Sequence, residues 1–111
     1  MSKPVSLGEF EQVILLAILR LGENAYGVSI KSEIATCTGR MPAPGALYTG
    51  LNRLEEKQLV SSSTGDPSPI RGGRAKRYYT VTPKGIRAVT AAQRSFQRLL
   101  KGLNLPGVSN A

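Results

Sequence analysis

The chain has 111 residues, 41% of them hydrophobic and 20% charged, which suits one globular domain with a modest core and leaves no room for a second of ordinary size. Fifteen Lys and Arg stand against seven Asp and Glu, giving a net charge of +8, and there is no histidine. That absence excludes Ser-His-Asp and Cys-His catalysis and His-ligated metals, so no enzyme and no cofactor is expected.

Ser6 to Glu9 reads as an S-x-x-E capping box, predicting a first helix from Leu7 to about Leu21 with Gly22 beyond its end. Leu7, Phe10, Ile14, Ile18 and Leu21 form one apolar stripe, and Val13, Leu16 and Leu19 cover another side. A helix apolar on more than one face must be covered on more than one face. Its apolar run Val13–Leu19 has seven residues, far short of the roughly twenty that cross a bilayer. Glu9 and Glu11 just before it argue against a secretory signal, and no membrane partner is expected. Asn24 can cap a second helix, about Ala25 to Cys37, closed by Gly39. Cys37 is the only cysteine, so neither an internal disulfide nor a Cys-rich zinc site can form. It reads as a small buried apolar residue, and a cytoplasmic setting is expected.

Pro44 suits the first turn of a third helix running to about Gln58. Leu47, Leu51 and Leu54, at i, i+4 and i+7, mark its buried face. Gly45, Thr49, Asn52, Arg53 and Glu56 are left facing out, with Tyr48 at the margin. Leu59 to Thr64 reads as a strand and Gly65 to Ala75 as a loop. Lys76 to Thr82 alternates, with Tyr79 and Val81 on one face and Tyr78 and Thr80 on the other. The two strands form a hairpin with a long basic tip. Charge is concentrated here: all seven acids lie at or before Asp66, whereas nine basic residues and no acid follow it, four of them within Arg71 to Arg77. Thr82 caps a fourth helix that Pro83 opens. Its stripe Ile86, Val89, Gln93, Phe96, Leu100, Leu103 has heptad spacing, and it is expected to pair with a second copy, because the first helix also has surplus apolar surface.

Three helices followed by a basic hairpin describe a winged helix-turn-helix, with the third helix directed to the DNA major groove and the wing to the phosphate backbone. The expected class is mainly α with a small β-hairpin: a winged-helix domain over 1–82, a dimerisation helix over 83–103 and a tail over 104–111. The chain also resembles the PadR family of bacterial transcriptional regulators, through LGEFEQVILLAILRLGENAYGVSI (Leu7 to Ile30), PGALYTGLNRLEEKQLV (Pro44 to Val60) and RGGRAKRYYTVTPKG (Arg71 to Gly85). The resemblance implies a repressor that dimerises through its C-terminal helix and binds an operator with two half-sites. It is similar to the short type with one C-terminal helix. Where that family often has a capping residue before Pro44, this chain has Ala43, and a missing cap costs a helix about 1 kcal/mol.

The expected DNA-facing residues are Tyr26, Pro44, Gly45, Tyr48, Thr49, Asn52, Arg53, Arg71, Gly72, Gly73, Arg74, Lys76 and Arg77. Each has a competing role: Tyr26 either donates to a phosphate or staples its helix, Tyr48 contacts phosphate or packs, and Arg53 reads DNA or pairs along its helix. Gly72 and Gly73 permit a sharp turn or a close approach to DNA; no G-x-G-x-x-G or Walker pattern is present. The expected dimer surface is Leu7, Phe10, Val13, Ile14, Ile86, Val89, Gln93, Phe96, Leu100 and Leu103. A small aromatic effector in the dimer cavity is left open by the resemblance. The alternative function is a winged-helix module that binds protein, against which the clustered cations of the wing weigh.

Overall fold

The computed structural model describes residues 7–65 and 76–106. Helix α1 spans Glu9–Leu21, α2 Gly27–Thr38, α3 Pro44–Glu56, strand β1 Val60–Thr64, strand β2 Arg77–Val81 and α4 Pro83–Leu100. The two strands pair antiparallel, with Val60 opposite Val81 and Ser62 opposite Tyr79. This is the expected order, with shifted ends that have local causes. Helix α1 starts at Glu9 because Gly8 is its N-cap, and the Glu11 carboxylate accepts the Gly8 N–H at 2.8 Å; Ser6 lies outside the described residues. Gly22–Asn24 form a 3-10 turn, so α2 is capped not at Asn24 but at Tyr26, whose N–H donates to Ser29 Oγ at 2.9 Å. Helix α3 ends at Glu56 rather than Gln58, since Gln58 turns into the left-handed region at φ 63°. The start of α3 has Ala43 as N-cap without a side-chain bond, and Pro44 in its first turn. Thr82 does cap α4, its Oγ1 accepting the Gly85 N–H at 3.0 Å.

The core is one cluster. Ile14, Leu15 and Ile18 of α1, Ile30 and Ile34 of α2, and Leu47, Leu51 and Leu54 of α3 are closed by Leu59, Val60, Tyr79, Val81 and Val89. Leu47, Leu51, Leu54 and Tyr79 stand where the spacing places them. The first turns of α4 are seated on the hairpin: a Cβ on Gly85 would fall 2.1 Å from the Leu59 carbonyl oxygen, so only glycine permits that approach. The 3-10 turn joins the hairpin as well, with the Tyr79 N–H donating to the Ala25 carbonyl at 2.8 Å and Tyr26 bridging Tyr78. Among the described residues no helix is long and apolar enough to cross a membrane.

One half-buried ion pair ties α1 to the end of α3. Lys57 Nζ lies 2.8 and 3.0 Å from the two Glu11 oxygens. Burial pushes the Glu11 carboxyl up, but the hydrogen bonds from Lys57 and Gly8 and the charges of Lys57 and Arg53 outweigh it, and it stays below the ordinary carboxylate value. A lowered carboxylate contributes stability that is complete above its unfolded pKa and is lost as pH falls through the folded one. Glu11→Gln is therefore expected to cost about 1–2 kcal/mol at neutral pH, with the gap to wild type closing below pH 4.5. Urea denaturation between pH 7 and pH 3 checks this; a gap independent of pH would refute it.

Candidate nucleic-acid interface

Helix α3 buries Leu47, Gly50, Leu51 and Leu54, which leaves Pro44, Gly45, Tyr48, Thr49, Asn52 and Arg53 exposed. Opposite the leucines lie Gly45, Thr49 and Asn52, at i, i+4 and i+7 and so on one face. The flanks differ. Arg53 lies toward α1, where its charge acts on Glu11. Tyr48 lies toward α2 and the hairpin, and with Asn52 it lines an open cleft of about 450 Å³ whose other walls are Tyr26, Gly27, Val28, Lys76, Arg77 and Tyr79.

The cleft is built by close packing at the start of α2. A Cβ on Gly27 would come within 2.5 Å of Tyr48 Oη, so the glycine lets the tyrosine hydroxyl reach the first turn of α2. Tyr26 meets Tyr78 edge-on, with ring centroids 5.7 Å apart. Lys76 Nζ lies 4.2 Å from the centre of the Tyr26 ring, a cation–π contact that holds the ammonium at the cleft mouth. Two tyrosines, an ammonium and the positive end of a helix thus converge on one recess, a set of donors suited to an anion.

Not every expected contact belongs to this face. Arg77 lines the cleft, but its guanidinium is already engaged: Nε and Nη2 donate to Ser62 Oγ, and Nη2 reaches Glu55 at 3.4 Å. Alternation could have shown this, because Arg77 stands two residues before the buried Tyr79 and so shares its face. Arg71, Gly72, Gly73 and Arg74 lie outside the described residues. Cys37 is exposed rather than buried; its thiol donates to Glu33 Oε2 at 3.3 Å. That hydrogen bond pushes the thiol pKa up, and a raised pKa disfavours the reactive thiolate.

The expected dimer surface divides. Ile14 and Val89 are buried in the core, and Leu7, Phe10 and Val13 pack against it, so Ile14 and Val89 have no surface to offer a second copy. Phe10 also lies beneath Arg40, 5.5 Å from its guanidinium carbon, beside Met41, Pro42 and Ala46. Gln93 is half-buried and donates to Gln12 of α1 at 3.0 Å. Ile86 and Phe96 are exposed, Leu100 is half-buried, and Leu103 is exposed but lies past the end of α4. Periodicity did not single out Leu99, which is exposed on α4; Leu16 and Leu19 of α1 are also exposed.

Comparison with known proteins agrees with this architecture. The family model for the transcriptional regulator PadR-like family matches residues 15–91. The chain is 32% identical over 78 residues to Transcriptional regulator Rv3488 of Mycobacterium tuberculosis, covering 70% of this chain and 68% of that protein. The crystal structure of a PadR family transcription regulator from Clostridium difficile superposes with a TM-score of 0.69, covering 83% of this chain and 92% of the other. Its 22% identity makes it evidence for the fold alone. The complex structure of hsRosR-SG superposes with a TM-score of 0.71 at 26% identity, covering 92% of this chain and 83% of the other. With three helices, a paired hairpin and an exposed third-helix face in place, the chain belongs to the transcriptional regulator PadR-like family and is a DNA-binding winged-helix regulator of transcription.

Proposed function

We propose that this regulator binds a two-half-site operator as a homodimer and represses by occluding the promoter. In each half, α3 enters the major groove with Gly45, Thr49 and Asn52 toward the bases. Tyr26, Tyr48 and Lys76 take a backbone phosphate in the cleft beside it, and Arg53 faces the opposite edge of the groove. The observation that carries this reading is the cleft: its donors flank the exposed face of α3, as a phosphate contact that positions a reading helix requires. The exposed apolar residues of α1 and the far end of α4 support the dimer. The repressor assignment follows the family resemblance, and a promoter–reporter assay with the operator in place checks it. An effector would have to lie between α1 and α4 of the two copies, whereas the cleft described above lies between α2, α3 and the hairpin.

Lys76 and Tyr48 give separable tests. Lys76→Ala is expected to weaken binding to all duplex sequences alike and to reduce the slope of log K against log salt by about 0.9, the share of one phosphate contact. Tyr48→Phe removes a neutral donor, so it should lower affinity several-fold and leave the slope unchanged. Filter retention on random and operator duplexes from 50 to 300 mM salt, on the order of the range where such slopes are read, measures both. Wild-type affinity and slope in both variants would remove the phosphate from the cleft.

A further inference from the structure

Arg77 pairs with Thr64 across the hairpin, and Ser62 with Tyr79, so Arg77 and Ser62 share the hairpin face that carries the buried Tyr79. On that face the guanidinium donates to Ser62 Oγ from Nε at 3.0 Å and from Nη2 at 2.8 Å. Nη2 lies 3.4 Å from both Glu55 oxygens. Ser62 Oγ donates to Glu55 Oε2 at 2.7 Å. Three side chains from α3, β1 and β2 are thereby closed into one network. An isolated surface ion pair contributes little to stability. A guanidinium fork shared between a hydroxyl and a carboxylate fixes direction as well as distance. An acid beside a DNA-binding face would by itself repel phosphate, so Glu55 needs a different reason to be there.

We propose that Glu55 and Arg77 are positioning residues, a strut that fixes the angle of the wing to the recognition helix, and that Arg77 is not itself a phosphate contact. The proposal rests on the DNA-binding reading above. It makes a prediction of unusual sign. Removing an acid from a polyanion-binding face should tighten binding, yet Glu55→Ala is expected to weaken operator binding roughly five- to tenfold, as is Arg77→Ala, and the double variant no further, since the two act as one unit. Arg77→Lys keeps the charge but loses the fork, so it should behave like Arg77→Ala.

The control is Glu56→Ala, the exposed neighbouring acid, which should bind DNA as tightly as wild type or tighter. Operator affinity is measured by fluorescence anisotropy, with thermal melts of every variant to show that each is folded at the assay temperature. Tighter binding by Glu55→Ala, or losses of Glu55→Ala and Arg77→Ala that multiply in the double variant, would overturn the strut. Retained binding in Arg77→Lys would overturn it as well, by showing that charge alone suffices. A wild-type protein that fails to retain duplex DNA at low salt would instead bring down the DNA-binding reading itself.

Discussion

Replacing Phe96 and Leu99 with Asp is expected to give a folded monomer that binds the operator at least about a hundredfold more weakly, the scale lost when two linked half-site contacts become one. The division of α4 carries this expectation. Its first turns belong to the chain's own core through Gly85, Val89 and the Gln93–Gln12 bond. Past Gln93 every residue from Arg94 to Leu99 is exposed. Phe96 is 54% exposed and Leu99 72%, with Leu103, Leu105 and the α1 residues Leu16 and Leu19 also open. Extending an existing helix by two turns in water is close to neutral in free energy, whereas burying each Phe or Leu contributes about 1.5–3 kcal/mol. In the proposed dimer a second copy related by a two-fold axis would cover both surfaces and present two recognition helices about 34 Å apart. The aspartates lie outside the core cluster, so the winged helix should keep its melting transition. Light scattering at micromolar concentration should give wild type near twice 11.9 kDa and the variant near one chain. Wild type at the mass of one chain, with operator binding intact, would sink the dimer.

Much of this architecture was legible because each element has a strong local signal. The i, i+4, i+7 leucines of α3, the alternation through Tyr79 and Val81, and the Thr82–Pro83 start of α4 each fix one element and its inward face. What sequence could not settle was which neighbour covers an apolar face. The stripe through Phe10, Ile14 and Ile18 is as good a dimer seam as any, yet it is spent on the chain's own core. The surface left over on α1 belongs to Leu16 and Leu19. Helix ends failed for a similar reason. Ser29 caps α2 by reaching back to Tyr26, and Gln58 takes the left-handed turn at the end of α3 where a glycine would have advertised it. The cleft was visible only in fragments. Tyr26, Tyr48, Asn52 and Lys76 come from three separate segments, and nothing in their spacing says that they meet.

The double variant Thr49→Ala, Asn52→Ala is expected to lose two to three orders of magnitude of preference for operator over random DNA, since a side-chain pairing with a base edge is worth about 1–3 kcal/mol. Its non-specific affinity should stay near wild type if both side chains read bases rather than phosphate, and its salt slope should not change, because neither residue is charged. The choice of residues follows from the geometry of α3. Tyr48 faces the cleft and Arg53 faces Glu11, so the middle of the exposed face is left to Gly45, Thr49 and Asn52. Gly45 strengthens the case. A Cβ there would meet nothing within 4 Å, and its φ is not positive, so neither packing nor backbone conformation calls for glycine. A helical glycine still costs up to about 1 kcal/mol against alanine. In the proposed complex its bare surface would let the first turn of α3 come close to the groove floor, with the Thr49 methyl against a thymine methyl and the Asn52 amide on adenine N6 and N7. Anisotropy with operator and scrambled duplexes at two salt concentrations decides it. Equal losses on both duplexes would mean that Thr49 and Asn52 touch only the backbone, and base reading would pass to the Arg53 flank of the helix.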